Sequence, residues 1–173
     1  MQQLQLSFDN IDDDNTLYVR DSHGSYSLAS PSQILAAART AADSLARVGQ
    51  EFSSPQAVKD FLIAKLAGIE HEIFGVIFVD SRHRLIDYKE MFSGTINAAS
   101  VYPREVVKTA LRLNASALIF THNHPSGDAS PSEADKRLTS QLQKALALID
   151  INVLDHIIVA GTKTLSFAER GIL

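Results

Sequence analysis

The stretch from Ala117 to Ile149 constrains this chain more than any other, because it writes a strand, a turn and a helix in direct succession. Ala117-Leu-Ile-Phe-Thr121 is an apolar, β-leaning run of the length expected for a buried strand. His122 and His124 follow at its end, and residues two apart in an extended segment point the same way. Pro125, Gly127 and Pro131 then make the chain turn. A helix is expected next, with Ser130 as N-cap, Pro131 at the first helical position and Glu133 completing a capping box. Leu138, Leu142, Leu146 and Ile149 give that helix an apolar face. Ser132 and Asp135 fall in its first turns, three apart and on one face.

This succession has a chemical consequence. It brings two imidazoles at a strand end towards one carboxylate at a helix start. His122, His124 and Asp135 are then a three-ligand set of the kind that holds a catalytic zinc ion, with the fourth position left for water. Ser132 lies beside them. A lone His-x-His is a weak signal, but the four residues at this spacing arise by chance in roughly one chain of this length in several thousand. The bland alternative is a capped helix after a loop that happens to be rich in histidine. The chain has no cysteine, which excludes a thiol nucleophile and the Pro-Cys-x-x-Cys ligands of a zinc deaminase.

Bulk properties fit one globular unit. The 173 residues are enough to bury a sizeable core, and 45% apolar with 21% charged residues lies in the globular range. No apolar run approaches the ~18 residues of a membrane span. The start, Met1-Gln-Gln-Leu-Gln-Leu-Ser-Phe-Asp9, has no basic region followed by an apolar one, so no secretory signal is visible and a cytoplasmic location is expected. A net charge of −4 argues against broad nucleic-acid binding, which needs basic surface to displace phosphate counterions. Arg104, Lys108 and Arg112 recur every four residues on one expected helix face, which reads first as a solvated face and second as a local patch for DNA.

Along the chain, residues 1 to about 14 are polar and acidic and are expected to be mobile or peripheral. A short hairpin is expected around Asp21-Ser22-His23-Gly24, then helices from Ser30-Pro31 to about Arg47 and from Ser54-Pro55 to near Gly68. Strands are expected at about 73–80 and 84–92, with a short one near Gly94-Thr95-Ile96, and Tyr102-Pro103 opens another helix. Further strands near 152–160 and 164–168 follow the Asp135 helix. Hairpins mixed with crossover helices predict an α/β fold, a central mixed β-sheet flanked by helices. The expected division is an N-terminal extension to residue 50 and a main domain over 51–173. Asp155-His156, in an apolar run, reads first as a satisfied interior histidine and second as a hydrogen-bond partner of a metal ligand. His23, His71 and His83 read as surface residues. Asn97 and Ser100 read first as ordinary polar residues before a helix and second as residues within reach of a substrate, and Ser126, Gly127 and Asp128 are candidates to shape the mouth of the site.

His122-x-His124, Ser132 and Asp135 resemble the JAMM signature of MPN-type metalloproteases. The last 110 or so residues resemble the RadC family more closely, through Gly68-Ile69-Glu70-His71-Glu72, Gly94-Thr95-Ile96, Pro103-Arg104-Glu105-Val106-Val107, His122-Asn123-His124-Pro125-Ser126-Gly127, Leu154-Asp155-His156 and Ser166-Phe167-Ala168-Glu169-Arg170-Gly171. The resemblance implies a JAB/MPN fold, related in layout to cytidine deaminases, in a short form without the N-terminal helix-hairpin-helix-like region of longer RadC proteins. It also implies Zn2+ on His122, His124 and Asp135, and a glutamate base at the start of an early strand. Glu72 fits that place, with Glu70 the nearest rival and Glu90 more distant. Glu72 would take a proton from the water, and Ser132 with the zinc would stabilise the oxyanion. The implied activity is cleavage of a peptide or isopeptide bond in a peptide or protein substrate. A DNA-repair accessory role, which the family name suggests, and a non-catalytic MPN scaffold are the alternatives. An exposed edge strand or the hairpin is able to mediate a homodimer, although no sequence signal demands one.

Overall fold

Side-chain alternation decides how this chain layers. A computed structural model describes residues 16–45, 49, 52, 54–94 and 101–173. In chain order its elements are β1 (Tyr18–Arg20), β2 (Tyr26–Leu28), α1 (Pro31–Leu45), α2 (Pro55–Leu66), β3 (Glu72–Val79), β4 (Leu85–Gly94), α3 (Pro103–Arg112), β5 (Ala117–Asn123), α4 (Glu133–Ala147), β6 (Asn152–Ala160) and β7 (Lys163–Ser166). β1 and β2 form the N-terminal hairpin, and the other five strands make one sheet in the order β4-β3-β5-β6-β7. Only β5 and β6 run parallel, joined by the crossover through α4, so the sheet is mixed.

β5 is buried at every residue, as a central strand covered on both faces must be. Its odd positions, with Ile73, Ile77 and Val79 of β3 and Ile157 and Val159 of β6, pack under α1 and α2 through Ala42, Val58, Phe61, Leu62 and Leu66. Its even positions, with Phe74, Val76 and Phe78, pack under α3 and α4 through Val106, Ala110, Leu142 and Leu146. Leu142 and Leu146 have no exposed surface, and each such side chain contributes about 1.5–3 kcal/mol by leaving water. Three layers result, helices on sheet on helices, and the even face is the one that carries the histidines.

The helix starts follow local chemistry. Ser30 and Gln33 exchange bonds at the head of α1, and the Ser54 hydroxyl accepts from the Ala57 N–H at the head of α2. α4 departs from expectation. Its N-cap is Ser132, in extended conformation, and the capping box is closed by Asp135 rather than by Ser130 and Glu133. Pro131 therefore precedes the cap. Both serines have an acid three residues on, so the local signal is degenerate, and the choice of Ser132 is the one that buries Asp135 against His122. Gly94 closes β4, while Thr95, Ile96, Asn97 and Ser100 lie outside the described residues, as do residues 1–15. Among the described residues no helix is long and apolar enough to cross a membrane.

Candidate metal centre

The even face of β5 ends in the site. His122 is the last of the run Leu118, Phe120, His122, and β3 lies antiparallel beside it with Phe74 opposite His122. Two residues back from Phe74 along β3 is Glu72, on the same face. His124 continues past the strand, its backbone N–H still bonded to the Val159 carbonyl, before the chain turns through Gly127 at φ 81°. α4 then brings Asp135 back.

The donor atoms converge. The Nε2 atoms of His122 and His124 are 2.9 Å apart. His122 Nε2 lies 3.4 Å from one Asp135 oxygen and His124 Nε2 lies 3.8 Å from the other. Donors around a tetrahedral zinc ion stand about 3.3 Å from one another. The chemistry of the set fits such an ion as well. His124 Nδ1 is 2.6 Å from the Asp128 carbonyl oxygen, which only accepts, so His124 donates there and its Nε2 carries a lone pair towards the centre. Asp135 is an acceptor too. Its Oδ2 accepts two bonds from Ser132, one from the hydroxyl and one from the backbone N–H. His122, His124 and Asp135 thus form a group able to hold a metal ion.

Ser132 makes three bonds in the cap, two of them through its hydroxyl. Its hydroxyl donates to Asp135 Oδ2 at 2.7 Å and accepts from the Asp135 N–H at 3.2 Å, and its own N–H donates to the same carboxylate oxygen. Glu72 differs. Its Oε2 is buried and has no hydrogen-bond partner. A cavity of about 200 Å³ opens beside it, lined by the polar Glu72, His122 and Asp135 and by the apolar Phe74, Phe92, Val101 and Leu138. Glu70 is exposed and does not line this cavity. Glu90 is exposed on β4, paired across from Gly75 and not Glu72.

Three further residues surround the site, and two of them, Asn123 and Thr139, have no place there on the sequence alone. Asn123, between the two histidines, points to the opposite face. Its side chain accepts from the Ile73 N–H at 2.7 Å and donates to the carbonyls of His71 and Ile69, tying the entry of β3 to the end of β5. Strand alternation alone separates its side from that of its neighbours. His156 is fully buried on β6, beside Phe120 in the parallel register. Its Nε2 is 2.8 Å from His122 Nδ1 and its Nδ1 is 2.6 Å from the Thr139 hydroxyl, so it is a satisfied interior histidine, and one of its two partners belongs to the group able to hold a metal ion. Burial, reinforced by the neighbouring His122, pushes its pKa well below the ordinary histidine value. Thr139 is one turn beyond Asp135 on α4, a spacing that sequence does display. Asp155 turns to the end of β7, where its carboxylate accepts from the Ser166 hydroxyl and the Ala168 N–H. His23, His71 and His83 are exposed, as are Arg104, Lys108 and Arg112 of α3.

A mixed sheet between helix layers, with a His-His-Asp group at the end of its central strand, defines a JAB/MPN domain. A model of the RadC-like JAB domain matches residues 52–172. A UPF0758 protein of Vibrio cholerae serotype O1 is 58% identical over 125 residues, which are 72% of this chain and 78% of that protein. UPF0758 proteins of Methylibium petroleiphilum and Pseudoalteromonas translucida are 61% and 60% identical over 122 residues, 70% of this chain but only 55% and 54% of theirs. The matched stretch thus spans about half the length of those two relatives. The chain belongs to the RadC family.

Proposed function

We propose that this chain is a zinc-dependent hydrolase of JAMM type that cleaves an amide bond, peptide or isopeptide, in a peptide or protein substrate. The observation that carries the reading is that Glu72, whose Oε2 is buried without a hydrogen-bond partner, lines the same cavity as His122 and Asp135. A buried carboxylate oxygen without a partner costs free energy, and a proton to accept is what offsets that cost. His122, His124 and Asp135 would hold the ion. A zinc ion bound there supplies a Lewis acid that polarises a carbonyl and brings the pKa of water towards neutrality.

The remaining work falls to the chain. Glu72 takes the proton of the attacking water and returns it to the departing amine, so no covalent enzyme intermediate is needed. Ser132 orients Asp135. Its single hydroxyl proton is directed at that carboxylate, and it serves a developing oxyanion only by turning away from it. The apolar wall of Phe74, Phe92, Val101 and Leu138 excludes water beside the bond to be cut and accepts an apolar group of the substrate.

A peptide-library screen on zinc-loaded wild type and Glu72→Gln tests this. Glutamine keeps the shape but accepts no proton at neutral pH. Cleavage that falls by about 100-fold or more while zinc content is unchanged supports the assignment. Equal cleavage by both proteins removes Glu72 as the base, and no cleavage of any peptide or isopeptide by loaded wild type moves the weight to a scaffold.

A further inference from the structure

A histidine with two hydrogen-bonding contacts leaves one question open at this centre. His122 Nε2 faces His124 Nε2 at 2.9 Å, and His122 Nδ1 faces His156 Nε2 at 2.8 Å. A neutral imidazole carries one proton. On Nε2, that proton bonds the His124 lone pair and the pair of histidines satisfies itself. On Nδ1, it bonds His156 and leaves a lone pair on Nε2 for a metal. The two tautomers are a closed centre and an open one.

We infer that Thr139 and His156 are positioning residues that fix His122 in the open tautomer through a directed chain of hydrogen bonds. The inference rests on His122, His124 and Asp135 being the metal ligands, and its direction is set at the far end. The Thr139 hydroxyl donates its one proton to the Asp135 carbonyl at 2.7 Å. Towards His156 Nδ1, at 2.6 Å, it therefore accepts, and Nδ1 is the protonated nitrogen of His156. His156 Nε2 is then an acceptor, and the contact at 2.8 Å is filled only by a proton on His122 Nδ1. His122 Nε2 is left with its lone pair pointed at His124 and Asp135. The hydrogen bond that a metal-binding histidine makes with its other nitrogen sets which nitrogen is free to ligate.

The packing makes the chain rigid. His156 has no exposed surface, and its ring is boxed by Phe167, Phe74 and Phe120 with centroids at 4.7, 5.8 and 5.9 Å. It cannot rotate to exchange its nitrogens without disturbing all three. Thr139 is itself buried and spaced one helical turn from Asp135, so one helix supplies both a ligand and the residue that sets the tautomer of another ligand. That couples the two sides of the site. A shift of α4 along its axis displaces Asp135 and breaks the Thr139 bond together.

Two readouts test this on the whole chain. Long-range proton–nitrogen NMR of metal-free, histidine-labelled protein at neutral pH reports each tautomer directly, and His122 and His156 should both be protonated on Nδ1. Zinc affinity, read by chelator competition, should fall roughly 10- to 100-fold in His156→Leu, which offers His122 no acceptor. His156→Gln, whose amide oxygen can accept, should recover most of that loss. Thr139→Val is nearly isosteric and serves if the His156 variants do not fold. It should weaken zinc binding and leave His156 mixed between tautomers, whereas Thr139→Ser should behave as wild type. A His122 protonated on Nε2 in the metal-free protein, or Thr139→Val and His156→Leu binding zinc as tightly as wild type, overturns the inference. A wild type that binds no zinc but shows both Nδ1 protons breaks the metal reading and leaves the chain of bonds standing.

Discussion

The two faces of β5 reach the same end of the sheet as apolar strand and both turn polar there, but they do so differently. On the α1/α2 face the run Ala117, Ile119 gives way to Thr121 and Asn123, and every polar group of that pair is used: Thr121 donates to the Ile157 carbonyl and Asn123 makes three bonds to the β3 entry. On the α3/α4 face the run Leu118, Phe120 gives way to His122, and there acceptors converge on one point while the nearby Glu72 oxygen has no partner. Saturated polar groups hold a structure together, whereas convergent and unsatisfied ones wait for a ligand. The only other unpartnered buried side-chain atom among the described residues, the Tyr88 hydroxyl, sits on the first face against Gly75 and Thr121.

If that division is right, mutations should separate stability from function by face. The largest stability loss is expected from Asn123→Ala. It strands a buried N–H and two carbonyls and should cost about 3 kcal/mol in urea unfolding, since each orphaned group costs about 1–3 kcal/mol. Gly75→Ala comes next. Its new Cβ would stand 2.8 Å from the Tyr88 hydroxyl and 3.0 Å from the Thr121 methyl, so about 1–3 kcal/mol should be lost, and Tyr88→Phe in the same chain should restore part of it. Glu72→Gln should change unfolding by less than about 0.5 kcal/mol, because no bond is removed. A Glu72→Gln variant as unstable as Asn123→Ala would erase the distinction.

The smallest effect is a control remote from both ends of the contrast. In the β3–β4 turn, bonds from the Arg84 side chain and backbone hold the Asp80 carboxyl down to about 2, from an ordinary 3.8. A depressed carboxylate stabilises the fold above its ordinary pKa and loses that contribution as pH falls. The small gap in melting temperature between wild type and Asp80→Asn should therefore close between about pH 4 and pH 2, with zinc content at neutral pH the same in both.

What could be read from sequence was local. The strand, the turn and the capped helix from Ala117 onward are set by alternation, proline and cap chemistry, each within a few residues, and the three-layer fold follows from their order. The local signal leaves the cap of α4 open because Ser130 and Ser132 each precede an acid at the same distance, and only the tertiary contact of Asp135 with His122 breaks the tie. His156 had two readings for the same reason. Apart from Asp155 the run around it is apolar, and its contact with His122 exists only once β6 pairs parallel to β5. Glu70 and Glu72 share the same alternation, so periodicity does not separate them, whereas the start of β3 at Glu72 does.

The metal content of untagged protein, by elemental analysis, bears most directly on the centre, with His122→Ala and Asp135→Ala beside wild type. About one zinc per chain in wild type, lost in both variants while their fold persists, is the expected result for a three-ligand site. Wild type without metal after zinc has been added and dialysed away, or variants that hold as much as wild type, would contradict it.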